Sequence, residues 1–337
     1  MIIKFIKRSE AMRSTRRKAV LSFTAILFAA LFTGCGSTDA ESKNGKLNIV
    51  CTNFSEYDWT KNIIGDNDSA NITYLLESGI DIHNYQPSVD DMVTISNCDM
   101  FIYVGGESES WVDDALKNSI NKDMKVIKLF DSVQESLKKE EITDEMEHEN
   151  EHSHVEDEPE YDEHVWLSVR NAQTICSSIC DDLCGLDPAN ADKYKANLAE
   201  YDLRLKELDE SFCDMVESAS TKTVLFGDRF PFRYFVEDYG LDYCAAFAGC
   251  SAESEASFET IAKLANKLDT LQLNTVFTID NSDDSLAKSI INNSKSRTAS
   301  VEKLNSLQSV TKKDISAGAS YISIMQDNLD TLKKVLN

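Results

Sequence analysis

The chain has five histidines, and four of them fall between His148 and His164. Residues 140–163 also hold 13 acidic residues and no Lys or Arg. Imidazole and carboxylate are ligands that zinc accepts, at about 2.0–2.2 Å, so metal chemistry is the first expectation. His148-Glu149-Asn150-Glu151-His152 spells the H-E-x-x-H pattern of a zinc peptidase. That pattern works on a helix backed by an apolar stripe. The flanking "EEITDEM" and "SHVEDEPE" supply none, and a Glu/His-rich run produces such a match by composition. The other reading makes His148, His152 and His154 weak cation collectors on a mobile loop, 140–163, too polar to fold alone. A plain solvated charge run is the alternative to both.

The remaining candidates lie where strands are expected to end. In open α/β sheets, ligands sit beyond the carboxyl ends of the strands. His83 stands in "ESGIDIHNYQPS", Glu107 follows "FIYVGG", Asp228 ends "TVLFGD" and Asp280 ends "TVFTID"; His164 precedes the apolar "VWL". One imidazole alone is weak evidence. Two imidazoles with carboxylates at converging strand ends suit a divalent transition ion.

The elements that must position these residues alternate. Strands are expected at 47–52, 71–76, 100–104 and 125–129, with helices at 55–64, 88–96 and 108–119. A second half repeats the pattern, with strands at 223–226, 242–247, 275–279 and 299–303 and helices at 232–239, 255–268, 285–293 and 321–336. Alternation of this kind implies α/β lobes with largely parallel sheets. Between the halves, Tyr194, Leu198, Tyr201, Leu205, Leu208, Phe212 and Met215 recur at helical spacing. Asp187 is the expected N-cap and Pro188 the first helical residue. A helix over 188–219 would run about 48 Å, and no Gly interrupts it, so a rigid strut joining two lobes is expected. A coiled-coil seam between chains is the alternative.

The first 34 residues read as an export signal: seven basic residues against Glu10, then an apolar run of about 14 residues, too short for a membrane span of about 20. Gly34-Cys35 is similar to a bacterial lipobox, which would make Cys35 the lipidated first residue, followed by a tether over 35–46. An uncleaved anchor is the alternative. The net charge is −24, and removing a leader of net +6 leaves −30. Duplex nucleic acid is therefore an unsuitable partner, and cations are natural ligands. Eight cysteines remain. Cys176, Cys180 and Cys184 share a helix face and read as small buried hydrophobes ahead of a thiolate site. Cys244 and Cys250 are the nearest pair for a disulfide, which export permits.

"ESGIDIHNYQPS", "EYDEHVWLS", "DPANADKYKANLAEYDLRLKELD" and "EASFETIAKLA" together resemble the zinc and manganese solute-binding proteins of ABC transporters, from about Leu47 to the C-terminus. The resemblance implies an N-terminal lobe (47–187), one long rigid helix (188–219), a C-terminal lobe (220–337), and metal in the cleft. It implies His83 as the first His ligand, His164 as the second, and Asp280 near the final carboxylate ligand. One position departs. The family usually carries a His or Glu after the first strand of the second lobe, where this chain has "FGDRFPFRYF". Gly227 or Arg229 falls there, and Arg does not bind metal. Asp228 ranks first to take the place, ahead of water or Glu107, with Arg229 and Glu107 beside the site. The implied function is a monomeric, lipid-anchored receptor that passes zinc to an ABC permease and its ATPase, with no reaction. Manganese, a negatively charged metal chelate, and a surface-adhesin role are the alternatives.

Overall fold

The structure is a computed structural model and describes residues 45–146, 161–251 and 255–337. The expected leader, Cys35, and the motif at His148 to His152 with His154 lie outside the described residues. Four strands, β1 (Leu47–Cys51), β2 (Ala70–Tyr74), β3 (Met100–Tyr103) and β4 (Lys125–Lys128), form one sheet in the order β2-β1-β3-β4. All three pairings are parallel, with Ile49 opposite Met100 and Met100 opposite Lys125. A second sheet of β5 (Thr223–Phe230), β6 (Asp242–Ala248), β7 (Thr275–Ile279) and β8 (Ser300–Leu304) repeats the order as β6-β5-β7-β8, again all parallel. The chain is thus a two-lobe α/β protein.

Alternation along each strand sorts side chains between two layers. Ile49 and Cys51 face the central core, and Val50 faces an outer cluster under α2 (Val89–Asn97) and α3 (Val112–Lys117). In the second lobe Val224 and Phe226 face the same central core. Leu225, Cys244 and Val276 face an outer cluster under α8 (Phe258–Thr270) and α9 (Ser285–Asn293). The remaining helices are α1 (Phe54–Ile64), α4 (Leu129–Ser132), α5 (Val169–Leu186), α6 (Ala191–Ser218), α7 (Arg233–Tyr239), α10 (Lys312–Ser316) and α11 (Tyr321–Leu336).

The central core is continuous through both lobes, from Ile49 to Leu336. Its spine is α6, whose buried stripe holds Tyr194, Tyr201, Leu205, Leu208, Phe212 and Met215. Each such side chain contributes about 1.5–3 kcal/mol through burial. The helix starts three residues later than its Asp-Pro signal suggests. Asp187 instead accepts hydrogen bonds from Asn190 Nδ2 and Tyr194 Oη, both at 2.7 Å, and residues 188–190 form a turn. At 28 residues α6 is about 42 Å long.

The segment after β8 returns to the first lobe. Tyr74 Oη donates to the Val310 carbonyl, Trp166 Nε1 to the Ser306 carbonyl, and Tyr321 Oη to the Trp166 carbonyl, at 3.0, 3.0 and 2.8 Å. The acidic run also crosses between lobes. Residues 140–146 form no helix or strand, as their composition requires, yet they are tied down. Glu141 pairs with Arg233, Glu145 with Lys267, and Met146 is buried.

Candidate metal centre

The same short device seats both histidines. In Asp81-Ile82-His83, Asp81 Oδ1 accepts from the His83 backbone N–H at 3.0 Å and opens a single helical turn, Ile82–Asn84. In Asp162-Glu163-His164, Asp162 Oδ1 accepts from the His164 backbone N–H at 2.8 Å. An Asp bonding the backbone two residues on is a turn former, and here it aims the ring that follows. Asp162 Oδ1 also lies 3.0 Å from His164 Nδ1, and Ser108 Oγ lies 2.7 Å from His83 Nδ1. With both Nδ1 atoms engaged, the two Nε2 atoms face each other at 3.3 Å.

That separation matters chemically. Two zinc–nitrogen bonds of about 2.0–2.1 Å meeting at a tetrahedral angle hold their nitrogens about 3.3 Å apart. His164 is fully buried, and His83 is nearly so. Burial and the neighbouring His164 pull the His83 imidazole down to about 3, with Arg229 acting the same way and Asp81 opposing. Burial alone would lower His164 too. The charge and hydrogen bond of Asp162, with Glu163, outweigh it and hold that ring above its usual value. Glu163 backs both rings. Its Oε1 accepts from Ser108 N–H at 2.9 Å, and its Oε2 lies 3.7 Å from His83 Nδ1. A Cβ on Gly106 would fall 2.3 Å from the Glu163 carboxyl carbon, so glycine is needed there.

Cys250 completes the only group of three or more His, Cys, Asp or Glu ligand atoms among the described residues that could hold an ion. It does so with His83 and His164, all within 4.8 Å of one another. It follows β6, and its backbone N–H donates to Glu140 Oε1 at 2.8 Å. Burial, then the charges of Asp162 and Glu140, push its thiol well up. Sequence reasoning weighed Cys250 only as a disulfide partner of Cys244. Both are free, and Cys244 belongs to the outer cluster on the far face of its sheet. The available signal was its place: strand-end logic applied to His, Asp and Glu, extended to Cys, selects it.

The structure does not bring the other candidates into that group. Asp280 Oδ1 accepts from both Ser306 N–H and Ser306 Oγ–H at 2.8 Å, tying down the loop that receives Trp166. Asp228 lines the same cleft as His83, from the opposite lobe, but its Oδ1 accepts from Arg229 N–H at 2.8 Å. Glu107 is exposed, and Ser108 beside it makes the contact to His83. Arg229 reaches across to Asp81 Oδ2 at 2.6 Å. Gly227 carries no side chain for a physical reason: a Cβ would fall 2.7 Å from Ala287 Cα. The β5–β6 register slips between Phe226 and Arg229, which turns this segment toward the cleft. The cysteines on α5 are structural in position, with Cys176 and Cys180 buried and Cys184 partly so. The cleft itself is about 510 Å³, walled by His83 and Asn84 from one lobe and by Asp228, Ser251, Glu255 and Asp283 from the other.

The family model for ZnuA, zinc-uptake complex component A, periplasmic, matches residues 49–335. The zinc-binding lipoprotein AdcA of Streptococcus pneumoniae is 30% identical over 317 residues, which cover 94% of this chain; the chain spans 61% of AdcA's length. The high-affinity zinc uptake system protein ZnuA of Bacillus subtilis is 29% identical over 323 residues, covering 94% of this chain and 96% of that protein. Among solved structures, the Zn(II)-bound ZnuA-like domain of Streptococcus pneumoniae AdcA superposes with a TM-score of 0.68 at 29% identity, covering 87% of this chain and 99% of that domain. A model match over most of the described chain, with relatives similar along nearly its whole length, means that this chain belongs to the ZnuA family of zinc-uptake components.

Proposed function

We propose that the protein is an extracytoplasmic receptor that captures zinc between its lobes and delivers it to an ABC permease and its ATPase, without catalysing a reaction. The carrying observation is the 3.3 Å approach of His83 Nε2 and His164 Nε2, each ring fixed through its other nitrogen. Second partners of this kind orient and strengthen imidazole ligands. Two imidazoles favour zinc over manganese, which prefers carboxylate and water. Asp228, on the cleft wall, is the carboxylate proposed to approach the ion, and Asp280 serves to hold the Ser306 loop. The named relatives, a zinc-binding lipoprotein and a zinc uptake protein, support the same cargo. The first of them, named a lipoprotein, also supports a lipid tether at Cys35, which membrane fractionation of a Cys35→Ala variant tests; unchanged membrane association counts against it.

Zinc titration by calorimetry is the test of the site. Wild type is expected to bind one equivalent, and His83→Ala and His164→Ala to lose about 100-fold or more in affinity, since each removes one of few zinc ligands. Equal affinity in either variant would sink the assignment.

A further inference from the structure

We propose that Cys250 is the third protein ligand, so that the cargo is held by two imidazoles and a thiolate and the site selects thiophilic divalent ions. This rests on the receptor reading above and adds the chemistry that sets its specificity. The sulfur, His83 and His164 already offer ligand atoms within 4.8 Å of one another. A tetrahedral zinc with bonds of about 2.3 Å to sulfur and 2.0–2.1 Å to nitrogen needs sulfur and nitrogen about 3.6 Å apart. The sulfur thus needs to advance by at most about 1 Å.

The backbone is built for that approach. Gly249 passes directly against the ligand ring: a Cβ there would fall 3.1 Å from His164 Cε1 and 2.9 Å from the Phe230 carbonyl oxygen. Any side chain at 249 would push the strand end and the imidazole apart. The Glu140 carboxylate holds the Cys250 N–H from the other side. The thiol is not taken by a disulfide, because its nearest cysteine in sequence points into the outer cluster; its hydrogen-bond partners are the Glu140 carboxylate and the Glu163 backbone.

The rest of the cleft explains why a ligand is needed from this strand. The end of β5 offers little: Gly227 is packed onto Ala287 and Arg229 is spent on Asp81, which leaves Asp228 as the one carboxylate there that lines the cleft. Strand β6 lies next to β5 in the sheet, so its carboxyl end reaches the same cleft one strand over. On capture the thiol gives its proton to water as the metal–sulfur bond forms, and no redox change occurs. A thiolate among the ligands favours zinc and cadmium and disfavours manganese.

X-ray absorption at the zinc edge, on wild-type protein loaded with one equivalent of zinc, tests the proposal without relying on a variant. The expected spectrum has one sulfur neighbour at about 2.3 Å beside nitrogen or oxygen at about 2.0–2.1 Å. Cys250→Ser, with both histidines intact, is expected to keep zinc, lose the sulfur shell and bind at least about tenfold more weakly, with cadmium losing more than zinc. Zinc bound to wild type through nitrogen and oxygen alone overturns the Cys250 assignment and leaves the receptor standing. Failure of wild type to bind zinc at all overturns the receptor reading, and this proposal with it.

Discussion

A single carboxylate does two jobs at His164. Asp162 Oδ1 accepts from the backbone N–H of His164 and lies 3.0 Å from its Nδ1, so it fixes both the turn and the ring. Partners of this kind, one shell out from the ion, typically carry 10–100-fold in metal affinity. Asp162→Asn keeps an acceptor oxygen for the backbone but removes the charge behind the imidazole. Zinc affinity is expected to fall by about tenfold or more, with the circular dichroism spectrum unchanged; undiminished affinity would show that the carboxylate is not tuning the ring. The two histidines were legible from sequence because each precedes or follows an apolar strand or turn and the resemblance marks both. The doubled Asp-x-His that seats them is equally visible in the sequence. Cys250 was hidden by residue type: a cysteine in an exported chain reads first as half of a disulfide or as a small core residue. Arg229 was flagged, but its partner was not, since Asp81 lies 148 residues away in sequence.

Three helices meet at one buried acid. Asp58 on α1 accepts from the Tyr321 N–H that begins α11, at 3.0 Å, and from Tyr201 Oη on α6, at 3.4 Å. Burial is the dominant effect and pushes its carboxyl from 3.8 up to about 6, against the pull of those hydrogen bonds. The folded state therefore holds this proton more tightly than the unfolded chain. The resulting stability is fully present below about pH 4 and is lost as pH rises through about 6. Above that, the buried charge costs on the order of 2–3 kcal/mol relative to the neutral form. Asp58→Asn mimics the neutral acid. Chemical denaturation is expected to find it more stable than wild type at pH 8 by about 2 kcal/mol, with the gap closing near pH 4. A wild type that is the more stable at pH 8 would mean the hydrogen bonds outweigh burial. Most elements were readable because strand and helix alternate with clear period changes; β7, α9 and α11 fall at the expected residues. The start of α6 was not, because Asp187 ends α5 and bonds side chains in the turn that follows instead of capping α6.

At the scale of the molecule, the question is whether the lobes move when cargo arrives. Receptors that close by a hinge need a few connecting residues able to absorb large backbone changes. Here the lobes share one core cluster, and α6 runs through it without a glycine or proline. The C-terminal segment adds fixed links from the second lobe to the first, at Tyr74–Val310, Trp166–Ser306 and Tyr321–Trp166. Glu141 and Glu145 carry a first-lobe segment onto the second, and Arg229 bridges to Asp81 beside the site. Hinge closure would have to break buried hydrogen bonds, each of which leaves a polar group unpaired at about 1–3 kcal/mol, and to shear the stripe on α6. Capture would gain little from closure, since the two proposed imidazole ligands already stand 3.3 Å apart, near a tetrahedral separation. Small-angle scattering should therefore give the same radius of gyration with and without zinc, and the two profiles should superpose. A contraction on zinc binding, in a sample shown by titration to be loaded, would mean that the shared core yields and that α6 is a hinge after all.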